Sequence, residues 1–290
     1  MDGIIVINKQ KNYTSHDIVY KIKKIVSEKV GHTGTLDPLA TGVLPILIGK
    51  GTLCSKYLIN HNKTYQVELK LGKKTETADR EGKILEEKEI PLEILEENKI
   101  DKTLQEFIGK QTQIPPIYSA IKVNGKKLYE YARKNQNVEI KPRNIEIYKI
   151  KLLEIDKQEK IIKFEVSCSK GTYIRTLCED IAKRLGTVGY MYNLNRTQVG
   201  EFNIINAIDI EEIQKSKNPK ETIEKNLITI EELFNSKENI QLNDKKLSLF
   251  LNGVKLTQEK QDDIYKIYNN NKFIGIGTIK NKLLKRDIVI

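Results

Sequence analysis

Tryptophan is absent from this 290-residue chain, and methionine, cysteine and histidine are scarce, at two, three and three. The three cysteines, Cys54, Cys168 and Cys178, are odd in number and form no CxxC, and no histidine lies close to them in sequence. That pattern excludes a disulfide framework, argues against a structural zinc site and suits a reducing cytosol. No run of about 18 apolar residues occurs, so a membrane span is not expected. The opening "MDGIIVINKQ" lacks the charged segment and long apolar stretch of a secretion signal. Phosphate-binding loops are missing too. "GKGT" at Gly49–Thr52 lacks the Walker A spacing, and "GIG" at Gly275–Gly277 sits alone in a strand pattern. The H-x-E and P-C-x-x-C pair of zinc deaminases is absent. None of His16, His32 and His61 accompanies a nucleophile elbow, which disfavours a Ser-His-Asp triad.

What is present in excess is positive charge. Fifty Lys and Arg against 39 Asp and Glu give a formal net charge of +11. A basic chain of this kind meets a polyanion favourably, because phosphate neutralisation releases counterions. Hydrophobic residues make up 39% of the chain, enough for a real core. The length suggests about two domains.

The apolar periodicity predicts an α+β body with a largely antiparallel sheet. "GIIVIN" (Gly3–Asn8) reads as a buried strand. Thr14 or Ser15 offers an N-cap for a helix running to about Ser27. Val30–Ala40, rich in Gly, Thr and Pro, reads as a loop, and "GVLPILIG" as a buried strand interrupted by proline. In "KTYQVELKLG" the residues Tyr65, Val67, Leu69 and Leu71 share one face of a half-buried strand. "KTETADREGK" reads as a polar connection, with short helical patterns at Leu92–Asn98 and Thr103–Ile108. Asn124-Gly125 marks a tight turn before a basic, Tyr-bearing helix. "RNIEIYKIKLLEID" and "IIKFEVSCS" form a hairpin pattern, then "TYIRTLCEDIAKRLG" a helix and "YNLNRTQVGEF" a strand. "IQKSKNPKETIEKN" is the most polar stretch and reads as the connection to a small tail with the strands "YKIYN", "KFIGIGTI" and "DIVI".

Three stretches carry candidate chemistry. "VGHTGTLDPLATGVLPI" places one acid, Asp37, in a neutral, turn-rich loop. Asp before Pro suits an Asx turn. Against that stands a catalytic carboxylate, because the residue before proline is held extended and so in one pose. "CSKGTYIRTL" places Tyr173 and Arg175 at a helix start, either as an exposed first turn or with the arginine aimed at an acid elsewhere, which would keep that acid ionised and fixed. "KVNGKKLYEYARK" interleaves Lys122, Lys126, Lys127, Arg133 and Lys134 with Tyr129 and Tyr131, a pattern that suits an RNA backbone or an amphipathic helix with its tyrosines in the core.

In order along the chain, "GHTGTLDPLATGVLPI", "KTYQVELKLG", "DREGK", "IPPIYSAIKVNGKKLYEYAR" and "CSKGTYIRTL" closely resemble the bacterial tRNA pseudouridine synthase B family. The resemblance spans roughly residues 3 to 205, and the tail is similar to the family's small PUA domain. It implies a catalytic domain over 1–235 with a mobile RNA-gripping insertion at 114–143, and a PUA-like RNA-binding domain over 239–290. It implies isomerisation of uridine-55 in the tRNA T loop by base flipping, glycosidic bond cleavage and C–C reattachment. By match, Asp37 is the catalytic acid, Tyr65 stacks on the flipped uracil, and Arg175 pairs with the acid. Tyr173 belongs to the same pocket, Leu194 packs beside the base, and His32 supports the opened RNA loop. Lys9, Lys122, Lys126, Lys127 and Arg133 are expected to contact substrate. One departure stands out: where the family begins K-P-x-G-x-T-S, "KQKNYTS" has Gln10 and Asn12, which predicts a less rigid early loop.

The chemistry moves a base within one nucleoside, so no cofactor and no metal is expected. Cytoplasmic location, monomeric action on tRNA and no obligate protein partner are expected as well. Two rivals remain at this point: a tRNA-folding chaperone in which binding outweighs catalysis, and the guide-dependent archaeal and eukaryotic relative of the enzyme.

Overall fold

The computed structural model describes residues 1–134 and 136–290. Asn135, inside the expected RNA-gripping segment, lies outside the described residues.

The body is built on one mixed, mainly antiparallel sheet. Its strands include β1 (Gly3–Lys9), β2 (Val30–His32), β3 (Thr41–Ile48), β4 (Lys63–Leu71), β5 (Gly109–Gln113), β6 (Arg143–Asp156), β7 (Ile161–Cys168) and β8 (Gly189–Val199). The spatial order is Ile208–Asp209, β1, β3, β8, β4, β7, β6, β5, with β2 added beside β3. Two of these pairings are parallel, β1 with Ile208–Asp209 and β3 with β8.

β1 is apolar at each position from Ile4 to Ile7 because it is covered on both faces. Ile5 and Ile7 pack with helix α1 (Ser15–Val26) and with the helices Ile210–Lys215 and Pro219–Lys225. Ile4 and Val6 face the other way, into a core shared with Ile276 and Ile288 of the C-terminal sheet. The Thr14 and Asp17 side chains form a reciprocal capping box that starts α1. Along β4, Tyr65, Val67, Leu69 and Leu71 turn inward, where α2 (Ile174–Arg184) covers them.

Pro45 sits inside β3, where a missing N–H would ordinarily break a ladder. On one side it stands in register with Val6 of β1, and on the other edge of β3 it falls between partners. β2 pairs opposite Ile46–Ile48 and β8 opposite Thr41–Gly42, and the Pro45 carbonyl accepts from Thr33 N at 3.3 Å.

Several expectations are corrected. Val30–His32 is a strand rather than loop, because it completes the β3 ladder. The two helical patterns expected at Leu92–Asn98 and Thr103–Ile108 are shifted in their bounds, to a 3-10 turn at Leu92–Leu95 and a helix at Glu97–Gln105. "IQKSKNPKETIEKN" is not a connection: Ile213 and Ile223 are fully buried, and Asn218 caps a helix with Pro219 in its first turn. The tail is a five-stranded sheet, and it also carries a helix at Asp244–Leu251, capped by Asn243, that its polar spacing concealed.

Candidate active site

Asp37 stands on the loop between β2 and β3, and the loop is held from three directions. Ser15 Oγ accepts from Leu36 N at 2.9 Å. Asn12 N donates to Pro38 O at 3.0 Å. Lys9 Nζ donates to Gln10 O, Tyr13 O and Pro38 O at 2.9, 2.7 and 3.2 Å. Asn12 takes φ +69°, in the left-handed region that asparagine tolerates and glycine enters freely. Lys9 is 0% exposed, and burial pulls its ammonium down to about 8, against a partial counterweight from Asp37. Lys9 therefore braces the Asp37 loop and is not presented to an RNA phosphate, contrary to the substrate contact expected for it.

Gly42 follows the loop at φ +107°, where a Cβ would lie 2.2 Å from the backbone oxygen of Arg196. Only glycine lets β3 approach β8 this closely. The approach brings Arg196 under the loop. Its guanidinium, 1% exposed, donates to Val43 O at 2.8 Å and Gly34 O at 2.9 Å.

Arg175, in the first turn of α2, is the hub. Its Nε lies 3.1 Å from Asp37 Oδ2, and its Nη2 donates to Asp37 Oδ1 at 3.4 Å. This two-point contact fixes the plane of the carboxylate. Nη1 donates to Thr77 O at 3.2 Å and lies 3.8 Å from Asp79 Oδ2. Nη2 also donates to Tyr118 O at 3.0 Å. The arginine side chain is 8% exposed, whereas that of Asp37 is 35% exposed and faces a cleft.

The cleft has a volume of about 730 Å³ and brings together Asp37, Tyr65, Tyr173, Arg175 and Leu194. Burial pushes the Tyr65 phenol up to about 12, so it stays protonated at neutral pH. Tyr65 lies opposite Arg196 across the β4–β8 ladder, and Leu194 lies opposite Val67. Tyr173 is pinned by Gln113 at the end of β5: its N–H donates to Gln113 Oε1 at 2.8 Å, and Gln113 Nε2 donates back to Tyr173 O at 3.0 Å.

The other expected residues are placed differently. His32 lies on β2, outside the cleft lining. Burial lowers its pKa, and its Nδ1 is buried without a hydrogen-bond partner among the described residues. Lys122, Lys126, Lys127 and Arg133 lie on the Asn124-Gly125 hairpin and the short helix Leu128–Ala132 or at its end. They do not line the cleft themselves. Lys127 and Arg133 each lie 5.3 Å from the centroid of Tyr129, which does line it.

Sequence reading missed Asp79, Arg196 and Gln113. Arg196 had a signal: it shares the inward alternation of β8 with Leu194, so a charge was written where an apolar residue belongs. Asp79 lies in the quoted "DREGK" stretch. Nothing in the composition around Gln113 marks it.

The model for the TruB family pseudouridylate synthase N-terminal domain matches residues 22–174, and that for the tRNA pseudouridylate synthase B C-terminal domain matches residues 175–237. The tRNA pseudouridine synthase B of Clostridium tetani is 44% identical over 96% of this chain and 95% of its own length. That of Aquifex aeolicus is 39% identical over 98% of both. Among solved structures, a chain in a Cbf5–Nop10–Gar1 complex is similar with a TM-score of 0.69 and 26% identity, over 99% of this chain and 83% of that one.

Proposed function

The chain belongs to the TruB family of pseudouridylate synthases, enzymes that form pseudouridine in tRNA, and from that premise we propose that its target is uridine-55 of the T loop, with Asp37 as the catalytic acid. The observation that carries the reading is the two-point Arg175–Asp37 contact at the edge of a cleft that also contains Tyr65.

The reaction breaks the uracil N1–C1′ bond, turns the base and joins C5 to C1′. The C5 hydrogen leaves as a proton and N1 gains one, so the balance needs no external oxidant or group donor. A uridine inside a folded loop exposes none of these atoms, so it must first be swung out, at a cost of about a few kcal/mol of lost stacking. Tyr65 offers an aromatic face in its place, and Leu194 an apolar wall. Asp37 meets the flipped nucleoside from the braced loop, with its carboxylate plane set in advance by Arg175. A charged group held in place before the reaction needs no reorganisation during it.

The basic hairpin with Lys122, Lys126, Lys127 and Arg133 is read as the grip on the RNA backbone, within an insertion over 114–143 of a catalytic domain at 1–235. The sheet over 239–290 is read as a PUA-like second RNA contact. Phosphate contacts of this kind set register and carry no sequence information, so selectivity falls to loop shape and the flipped base.

Asp37→Asn tests the reading. The variant is expected to fold and to bind a T-arm hairpin as the wild type does, but to release no C5 proton and form no carbodiimide-reactive product. Turnover at the wild-type rate would refute the assignment.

A further inference from the structure

The cleft holds more positive charge than the bracing of one carboxylate requires. Besides Arg175 and Arg196, its lining includes Lys63, Arg143 and Lys170. Among the described residues, no carboxylate lies within 4.0 Å of Lys63, Arg143 or Lys170. Lys63 is half-buried, and its Nζ donates to His61 O at 2.5 Å. Its stem crosses the catalytic loop, so a Cβ on Gly34 would stand 3.6 Å from Lys63 Cε and 3.4 Å from Arg196 Nη1. Lys170 Nζ meets Asn60 Oδ1 at 2.6 Å. Burial, with help from Arg196 and Lys170, pulls the Lys63 ammonium down to about 8. A half-buried cation beside other cations, with spare donors, is a poor arrangement until an anion arrives.

Position says which anion. Lys63 and Tyr65 are two residues apart on β4 and so lie on the same face, about 7 Å apart along the strand. With a uracil stacked on Tyr65, a lysine rooted one strand repeat away on the same face is within side-chain reach of the sugar–phosphate chain beside that uracil. We infer that Lys63, assisted by Lys170, forms a phosphate subsite for a phosphodiester flanking the flipped uridine. The inference rests on Tyr65 as the stacking surface. Lys63 thereby anchors the backbone as the base is drawn in, and the anion joins a cationic surface already in place.

The test uses the full chain and T-arm hairpins carrying a neutral methylphosphonate immediately 5′ or 3′ of the target uridine. In the wild type, one of the two neutral linkages is expected to weaken binding about tenfold, a difference of about 1.4 kcal/mol. In Lys63→Met the same linkage is expected to matter less than about twofold, and the slope of log affinity against log salt to fall by about one. Lys63→Arg is expected to restore the linkage effect. An equal penalty in wild type and Lys63→Met, or no penalty at either position in the wild type, overturns the subsite. Should Lys63→Met fail to fold by circular dichroism, Lys170→Met on the same hairpins takes its place, and the wild-type pair still decides. Absence of pseudouridine in the unmodified hairpin would instead count against the uridine-55 reading, because the binding measurements need no turnover.

Discussion

Lys9 shows how a residue whose type suggested one job does another. A lysine near a catalytic loop suggests a phosphate contact, yet this one is sealed inside and divides its donors among three carbonyls. Its ammonium titrates near 8 in the folded chain, against 10.5 when free. Between those values the unfolded chain binds more protons than the folded one, so stability rises with pH across that window. Urea unfolding at pH 7.5 and 9.5 is expected to show the wild type gaining about 1 kcal/mol per pH unit relative to Lys9→Met. Equal gains in both proteins would remove Lys9 from the account. At this scale the sequence was legible where a side chain's chemistry was unusual for its surroundings. Asp37 stood out as a lone acid in a neutral loop, and Arg175 at a helix start as a guanidinium that could reach an acid elsewhere. Asp79 and Gln113 escaped because their roles depend on partners about 100 and 60 positions away in the chain.

Among elements, strands and helices with strong periodicity were readable, and those defined by their neighbours were not. β4 announced itself by alternation. β2 exists only because β3 offers it an edge, and the helices Ile210–Lys215 and Pro219–Lys225 are held because Ile213 and Ile223 reach the core. The insertion after β5 is the element most relevant to function. Tyr118 O accepts from Arg175, and Tyr118 Oη donates to Glu76 Oε1 at 2.6 Å. Tyr118→Phe removes the second contact and leaves the backbone one. A single such hydrogen bond contributes roughly 1 kcal/mol, so trypsin cleavage within Lys122–Lys127 is expected to quicken about fivefold. The Michaelis constant for the hairpin is expected to rise, with the single-turnover rate at saturating RNA changed little. Unaltered proteolysis would show that Glu76 does not hold the insertion down.

For the whole molecule, the sequence suggested a body and a separable tail, but the packing joins them. Ile276 and Ile288 share a core with Ile4, Val6, Leu58 and Phe234. Tyr57 meets Phe234 edge-on at 5.1 Å, and both Lys56 and Tyr57 bond to Asp287. Each buried isoleucine contributes roughly 1.5–3 kcal/mol, so ending the chain at residue 238 is expected to lower the melting temperature of the body as well as its affinity for tRNA. Calorimetry of the intact chain is expected to show one transition, and two well-separated peaks would contradict the shared core. That core also ties the first strand to the last. During synthesis Ile4 and Val6 leave the ribosome well before Ile276 and Ile288, the residues that complete their core. Until those two isoleucines have been made, one face of β1 stays uncovered.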